Sequence, residues 1–143
     1  MKTLILVMLL AAMPLFAQAP PTKITVGEPF LLTLDYPHFS ATARGCADST
    51  ELDCISAFHL WDITGGQRFS LGMEPAPAGA SAPMTGLSHL IDGANNQRLG
   101  LRKFVATTVL RTEIGDFESI DSVEARAVMV PLPGDGTRVN PVP

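Results

Sequence analysis

Residues 24–36 read Ile24-Thr25-Val26-Gly27-Glu28-Pro29-Phe30-Leu31-Leu32-Thr33-Leu34-Asp35-Tyr36, and their pattern decides the fold class. Phe30, Leu32, Leu34 and Tyr36 alternate with Leu31, Thr33 and Asp35. A period of two puts the two sets on opposite faces of an extended chain, so the pattern predicts a strand with one buried face. Gly27-Glu28-Pro29 predicts a turn that divides it from a shorter strand at residues 24–26, and Pro37 stops it.

The same reading extends towards the carboxyl end. Residues 38–56 are small and polar and form a long connection. Ala57-Phe58-His59-Leu60-Trp61-Asp62-Ile63 is a second strong strand, and Thr64-Gly65-Gly66 is a hairpin turn leading to a partner at residues 67–73. Residues 74–86 are rich in Pro, Ala, Gly and Ser, too poor in large apolar side chains to pack, and are expected as a surface loop. A short strand at 87–91 ends at Asp92-Gly93-Ala94-Asn95-Asn96. Residues 99–110 are the longest β-rich run. Phe104, Ala106 and Thr108 alternate with Val105, Thr107 and Val109, so both faces are apolar enough for a central strand. A polar loop turning at Gly115 is expected over 111–119, and a last strand over 120–130. Residues 131–143 form a Pro/Gly-rich tail that is expected to stay out of any sheet.

Six or seven short strands, turns between them and no 3.6-residue periodicity predict an all-β domain over residues 20–130, built as a two-sheet sandwich. An up-and-down barrel is the alternative. The expected core is Phe30, Leu32, Leu34, Phe58, Leu60, Phe104 and Ala106.

The amino terminus has a different character. Met1-Lys2-Thr3 is followed by an apolar run over residues 4–12 and then Met13-Pro14-Leu15-Phe16-Ala17-Gln18-Ala19. One positive charge, a short apolar run and small residues make the three-part plan of a cleavable export leader at residues 1–19, with cleavage after Ala17 or after Ala19. The run falls well short of the roughly 20 residues that a permanent membrane helix needs. The expected product is secreted or periplasmic. Removing residues 1–19 takes Lys2 from the 10 basic residues and none of the 14 acidic ones, so the net charge goes from −4 to −5. A mildly acidic chain with scattered positive charges lacks the basic patch that nucleic acid requires. No membrane span is expected after leader removal.

Cys46 and Cys54 are the only two cysteines. In an exported chain an even count points to a disulfide. Seven intervening residues and the lack of a second pair argue against a zinc site. Closing so short a loop stabilises by about 2.5 kcal/mol on the chain-entropy account, which makes it a local clamp.

The second half resembles a fibronectin type III or immunoglobulin-like domain. The similarity rests on Arg102-Lys103-Phe104-Val105-Ala106-Thr107-Thr108-Val109 followed by Ile114-Gly115-Asp116-Phe117-Glu118-Ser119, and on the hairpin formed by residues 58–63 and 69–73. The family commonly carries Trp on its second strand and Tyr in place of Phe104, whereas this chain has Trp61 on the third strand. The resemblance implies a two-sheet sandwich scaffold that displays loops for binding or structure.

No spacing in the sequence assembles a catalytic or metal site. His38, His59 and His89 are isolated, with His59 expected on a strand face and the other two beside loops. Asp48, Glu51 and Asp53 form one acidic cluster and Asp116, Glu118 and Asp121 another. Either could attract calcium, but neither has the glycine-spaced pattern of a dedicated loop, so both read as solvated surface acid. G-x-S-x-G, P-loop and H-E-x-x-H patterns do not occur. The expectation is therefore a non-enzymatic binding or structural module without a cofactor, whose partner is a protein or a surface polymer. The alternative is a small secreted hydrolase or metal-dependent protein with a site assembled from dispersed residues.

Overall fold

Alternation at residues 30–36 is realised as a strand with Phe30, Leu32, Leu34 and Tyr36 buried and the residues between them half-buried. A computed structural model describes residues 2–7, 20–36, 44–81, 83–122 and 124–132. These residues form nine strands: β1 (Lys2–Val7), β2 (Thr22–Thr25), β3 (Phe30–Tyr36), β4 (Cys54–Asp62), β5 (Phe69–Pro75), β6 (Met84–Ile91), β7 (Gly100–Thr112), β8 (Gly115–Glu118) and β9 (Ala125–Val130). The helical content of the described residues is two three-residue 3-10 turns, Thr64–Gly66 and Gly93–Asn95. No helix among them is long and apolar enough to cross a membrane.

Two sheets result. The smaller has the order β1-β3-β6, with β1 parallel and β6 antiparallel to β3. The larger runs β2-β9-β7-β4-β5, with β8 also pairing β7. Both sheets supply the core: Phe30, Leu32 and Leu34 come from the smaller, and Phe58, Leu60, Phe104 and Ala106 from the larger, all fully buried. Aromatic rings bridge the layers, with Phe30 and Phe104 centroids 5.9 Å apart and Tyr36 and Phe58 5.6 Å apart. Such tilted pairs add modestly to the area they bury.

β7 is the central strand. Residues 104–109 are buried without interruption, because β7 has neighbours on both edges and side chains over both faces. Three sequence boundaries move. The polar stretch expected as a loop over 111–119 is a hairpin, since Gly115 at φ 127 turns the chain tightly enough for Gly115–Glu118 to pair back on β7. The strand expected over 120–130 is shorter, beginning only at Ala125. β8 and β9 lie along the same edge of β7, and between them serines replace the ladder: Ser119 Oγ accepts from Thr108 N–H at 2.8 Å, and Ser122 Oγ from Ala106 N–H at 2.9 Å. The loop expected over 74–86 is also shorter, because β6 begins at Met84, whose buried side chain continues the core.

The long connection is pinned as its composition suggested. Cys46 and Cys54 are disulfide-bonded. Cys46 N–H donates to the Ile55 carbonyl at 2.9 Å and Ile55 N–H to the Arg44 carbonyl at 2.9 Å, so the loop closes back on the start of β4. His38 and the remainder of the tail after Leu132 lie outside the described residues.

One end of the core is closed by polar groups. Arg102 Nε donates to Asp62 Oδ2 at 3.0 Å, with Nη2 on the same oxygen, and Nη1 reaches the Asn95 carbonyl at 3.2 Å. Fully buried Asn96 donates to the carbonyls of Thr25 and Glu28 at 2.9 and 2.8 Å, tying the Gly93–Asn95 turn to the turn between β2 and β3. Backbone groups that would otherwise be buried unpaired are thereby satisfied.

Candidate functional site

Period two determines what faces outward. Phe58 and Leu60 of β4 point into the core, so His59 and Trp61 lie on the opposite, outer face of the larger sheet. Their β7 neighbours in the ladder are Thr107 and Val105, which share that face.

A register shift brings a third strand into play. Leu60 stands opposite Gly72, but Trp61 stands opposite Ser70, so β5 carries Leu71 as an extra residue. The bulge sets Met73 and Ser70 on the same outer face although they are three residues apart. Gly72 sits in this bulge at φ 118 with the His89 ring close behind it, which a side chain there would displace.

These placements assemble a connected network. His59 Nδ1 lies 2.8 Å from Glu118 Oε1, and His59 Nε2 lies 2.7 Å from Ser70 Oγ. A carboxylate only accepts, so Nδ1 carries the proton, and in the neutral ring Nε2 accepts from the Ser70 hydroxyl. Glu118 Oε2 accepts from the Thr107 hydroxyl at 2.6 Å, and Thr107 Oγ1 accepts from Trp61 Nε1 at 3.1 Å. Burial pushes the Glu118 carboxyl upward. Hydrogen bonds from Thr107, His59 and Trp61, with electrostatic attraction to the His59 ring, outweigh burial and hold it below its ordinary range. Glu118 is thus an anion at neutral pH that fixes the imidazole tautomer.

Aromatic contacts extend the network. The His59 and Trp61 ring centroids are 3.8 Å apart, and the Arg68 guanidinium carbon stands 4.3 Å from the Trp61 centroid. Arg68 is itself held by Asp121, with Nη1 at 2.8 and 2.9 Å from the two carboxylate oxygens. Cation, indole and imidazole therefore form one ordered group. Ser70, Arg68, Met73, Glu118 and Asp121 are exposed, while His59 and Thr107 beneath them are buried.

Two kinds of chemistry are open to this arrangement. Fixed donors and acceptors around an aromatic platform can recognise a ligand laid across the sheet. A hydroxyl hydrogen-bonded to an imidazole that a carboxylate orients is also the geometry in which serine becomes nucleophilic.

The other candidate residues have local roles. His89 lies on β6, where Nδ1 is 3.2 Å from Glu74 Oε2 and Nε2 is 2.9 Å from the Leu71 carbonyl, so it links the two sheets. Asp48 Oδ1 accepts from Thr50 N–H, Thr50 Oγ1 and Glu51 N–H at 2.8, 2.7 and 3.0 Å, and hydrogen bonding to Thr50 holds its carboxyl below the ordinary range. Glu51 pairs with Arg44. Asp48 and Glu51 of the first acidic cluster thus brace the disulfide loop, and in the second Glu118 holds His59 while Asp121 holds Arg68. Among the described residues, no group of three or more His, Cys, Asp or Glu is arranged to hold a metal ion.

Sequence spacing had no means to find Ser70, Thr107 and Glu118 as partners of His59. The usable signal was the period-two placement of His59 and Trp61 on one face of β4. Comparison of the chain with protein-family models, curated proteins and solved structures gives no match.

Proposed function

We propose that the protein is an exported binding module, with a fibronectin type III or immunoglobulin-like sandwich as scaffold and the outer face of β4, β5, β7 and β8 as its ligand-binding surface. Export as a secreted or periplasmic protein follows from the leader at residues 1–19. The scaffold reading is supported by the strand order β2-β9-β7-β4-β5 against β3 and β6, with β2 parallel to β9 at the edge. The observation that carries the binding reading is the pre-ordered, partly exposed group of Arg68, Trp61, His59, Ser70 and Glu118. Its side chains are held by one another before any ligand arrives, so binding need not order them. Its exposed members, Arg68, Ser70 and Glu118, spread over a sheet face, suit a protein surface or an extended polymer.

Amide chemical shifts of the exported form, followed during titration with soluble surface polysaccharides and candidate proteins, test the reading. Perturbations should centre on Trp61 and Ser70, and Arg68→Ala should weaken binding about tenfold or more, as the loss of a recognition anchor does. Perturbations confined to the opposite sheet would reject this face.

Ser70, His59 and Glu118 favour a second reading, a small hydrolase in which His59 takes the Ser70 proton as the hydroxyl attacks an acyl carbon. A fluorophosphonate probe would then add to Ser70, with the mass change absent in His59→Ala. Lack of any adduct on the folded protein would remove this reading and leave the first intact.

A further inference from the structure

The sandwich has two seams, and they are closed by different means. Beside β5 and β6 the seam is crossed by His89, which reaches from the smaller sheet to the Leu71 carbonyl and Glu74 of the larger. At the opposite seam the smaller sheet ends in β1, which pairs with β3 and runs beside β9. β1 is Lys2–Val7, and those residues belong to the segment read as an export leader. Cleavage after Ala17 or Ala19 takes this strand away.

Its departure changes the status of β3. In the full chain β3 is an inner strand, paired with β1 in the register Lys2↔Phe30 through Val7↔Asp35. Without β1 its outward backbone N–H and C=O groups lose their partners, next to the fully buried side chains of Phe30, Leu32 and Leu34. The mature chain has no described strand to spare for the position. Its first strand, β2, is committed to β9 in the other sheet, in the register Thr22↔Ala127 through Thr25↔Val130. Natural edges are usually blunted by charge, proline or a bulge. On β3 the charge, Asp35, and the register shift between Leu34 and Tyr36 both lie at the far end, so Phe30-Leu31-Leu32-Thr33-Leu34 is left uncharged and in regular register.

We propose that in the exported protein the β3 edge is a strand-accepting site, filled by an extended, mainly apolar segment of a partner protein running parallel to β3. This deepens the binding-module reading by naming a partner class, and it rests on that reading for removal of the leader. The occupant's chemistry is given by the strand that holds the place in the full chain: Lys2-Thr3-Leu4-Ile5-Leu6-Val7 has six residues in register, is rich in Leu and β-branched residues, and contains no Pro or Gly. Backbone pairing supplies the attraction and alternate side chains the selectivity, as in other cases of strand addition.

The test uses the mature chain, residues 20–143, and a synthetic peptide of residues 2–7 with a short lysine tail for solubility. Calorimetry should show one peptide bound per chain, and the thermal midpoint should rise with peptide concentration. N-methylation of alternate peptide amides separates strand pairing from general stickiness: one alternation removes the donors facing β3 and abolishes binding, and the other leaves it. Equal effects of both alternations would overturn the proposal. So would a folded mature monomer that ignores the peptide, a mature dimer joined through β3, or binding that emerges only after residues 131–143 are deleted. If the mature chain does not fold alone, refolding with peptide decides: rescue supports the site and failure to rescue overturns it. The amino-terminal mass of the exported protein separates the two readings. Retention of residues 1–19 breaks the premise of export processing, whereas a processed terminus without peptide binding breaks the strand-accepting site alone.

Discussion

Two charged networks occupy opposite surroundings in this molecule. Arg102 and Asp62 close one end of the core with side chains 6% and 7% exposed. His59 and Glu118 meet on the outer face of the larger sheet, where the Glu118 side chain is 36% exposed and Ser70 and Arg68 lie open beside it. Both networks hold an anion by hydrogen bonds, but the consequences differ. A buried pair has already lost its water, so removing either partner strands a charge in a medium that cannot solvate it. At the surface, water replaces a lost partner, and the network contributes little to stability. The first network therefore specifies how the chain closes, and the second is free to serve a ligand.

The contrast breaks first at Arg102. Arg102→Ala leaves Asp62 buried and uncompensated, and should cost about 3–5 kcal/mol in a urea unfolding titration. A cost below about 1 kcal/mol would mean that water reaches this end of the core and that the two networks are alike.

The disulfide sets the middle of the scale. Cys46→Ser with Cys54→Ser should cost about 2.5 kcal/mol, and intact mass before and after reduction and alkylation should show that both thiols are unavailable until reductant is added. Free thiols in the purified protein, alkylated under denaturing conditions without reductant, would show that the clamp is not formed.

Acid sharpens the comparison. Burial pushes the Asp62 carboxyl upward, but hydrogen bonds from Thr64 and Arg102 and the charge of Arg102 outweigh it and hold the group below its ordinary range. A group lowered on folding contributes stability above its unfolded value, about 4. That stability is lost as pH falls through the lower folded value. The Glu118 carboxyl is shifted in the same direction. Unfolding free energy should therefore fall as pH drops below about 4. Asp62→Asn should flatten that limb more than Glu118→Gln, and the reverse order would contradict the assignment of the buried network as the structural one.

Away from acid, Glu118→Gln should change stability by about 1 kcal/mol or less. It should nonetheless weaken the hold on the His59 ring, seen as a change in the imidazole nitrogen shifts. The smallest effect belongs to the tail: Pro131 and Leu132 continue no strand, and deletion of residues 131–143 should move the thermal midpoint by only a few degrees. A large loss there would show that the tail packs on the domain.

Legible along the chain were the β class, the inward sets on β3, β4 and β7, the hairpin at Gly65 and Gly66, and the cysteine pair. Each depends on neighbours along the chain: alternation sets which face is buried, glycine sets where the chain turns, and the chain's only two cysteines have only each other. Tertiary structure decided the remainder. The gap between β8 and β9 is bridged by Ser119 and Ser122 on β7 amides, a contact that no local propensity encodes. Ser70 reaches His59 only because a bulge shifts β5 against β4, and Glu118 reaches it only because the hairpin at Gly115 folds back on β7. Long-range register is a property of paired strands, and a single strand's residues carry no record of which partner residue will stand opposite them.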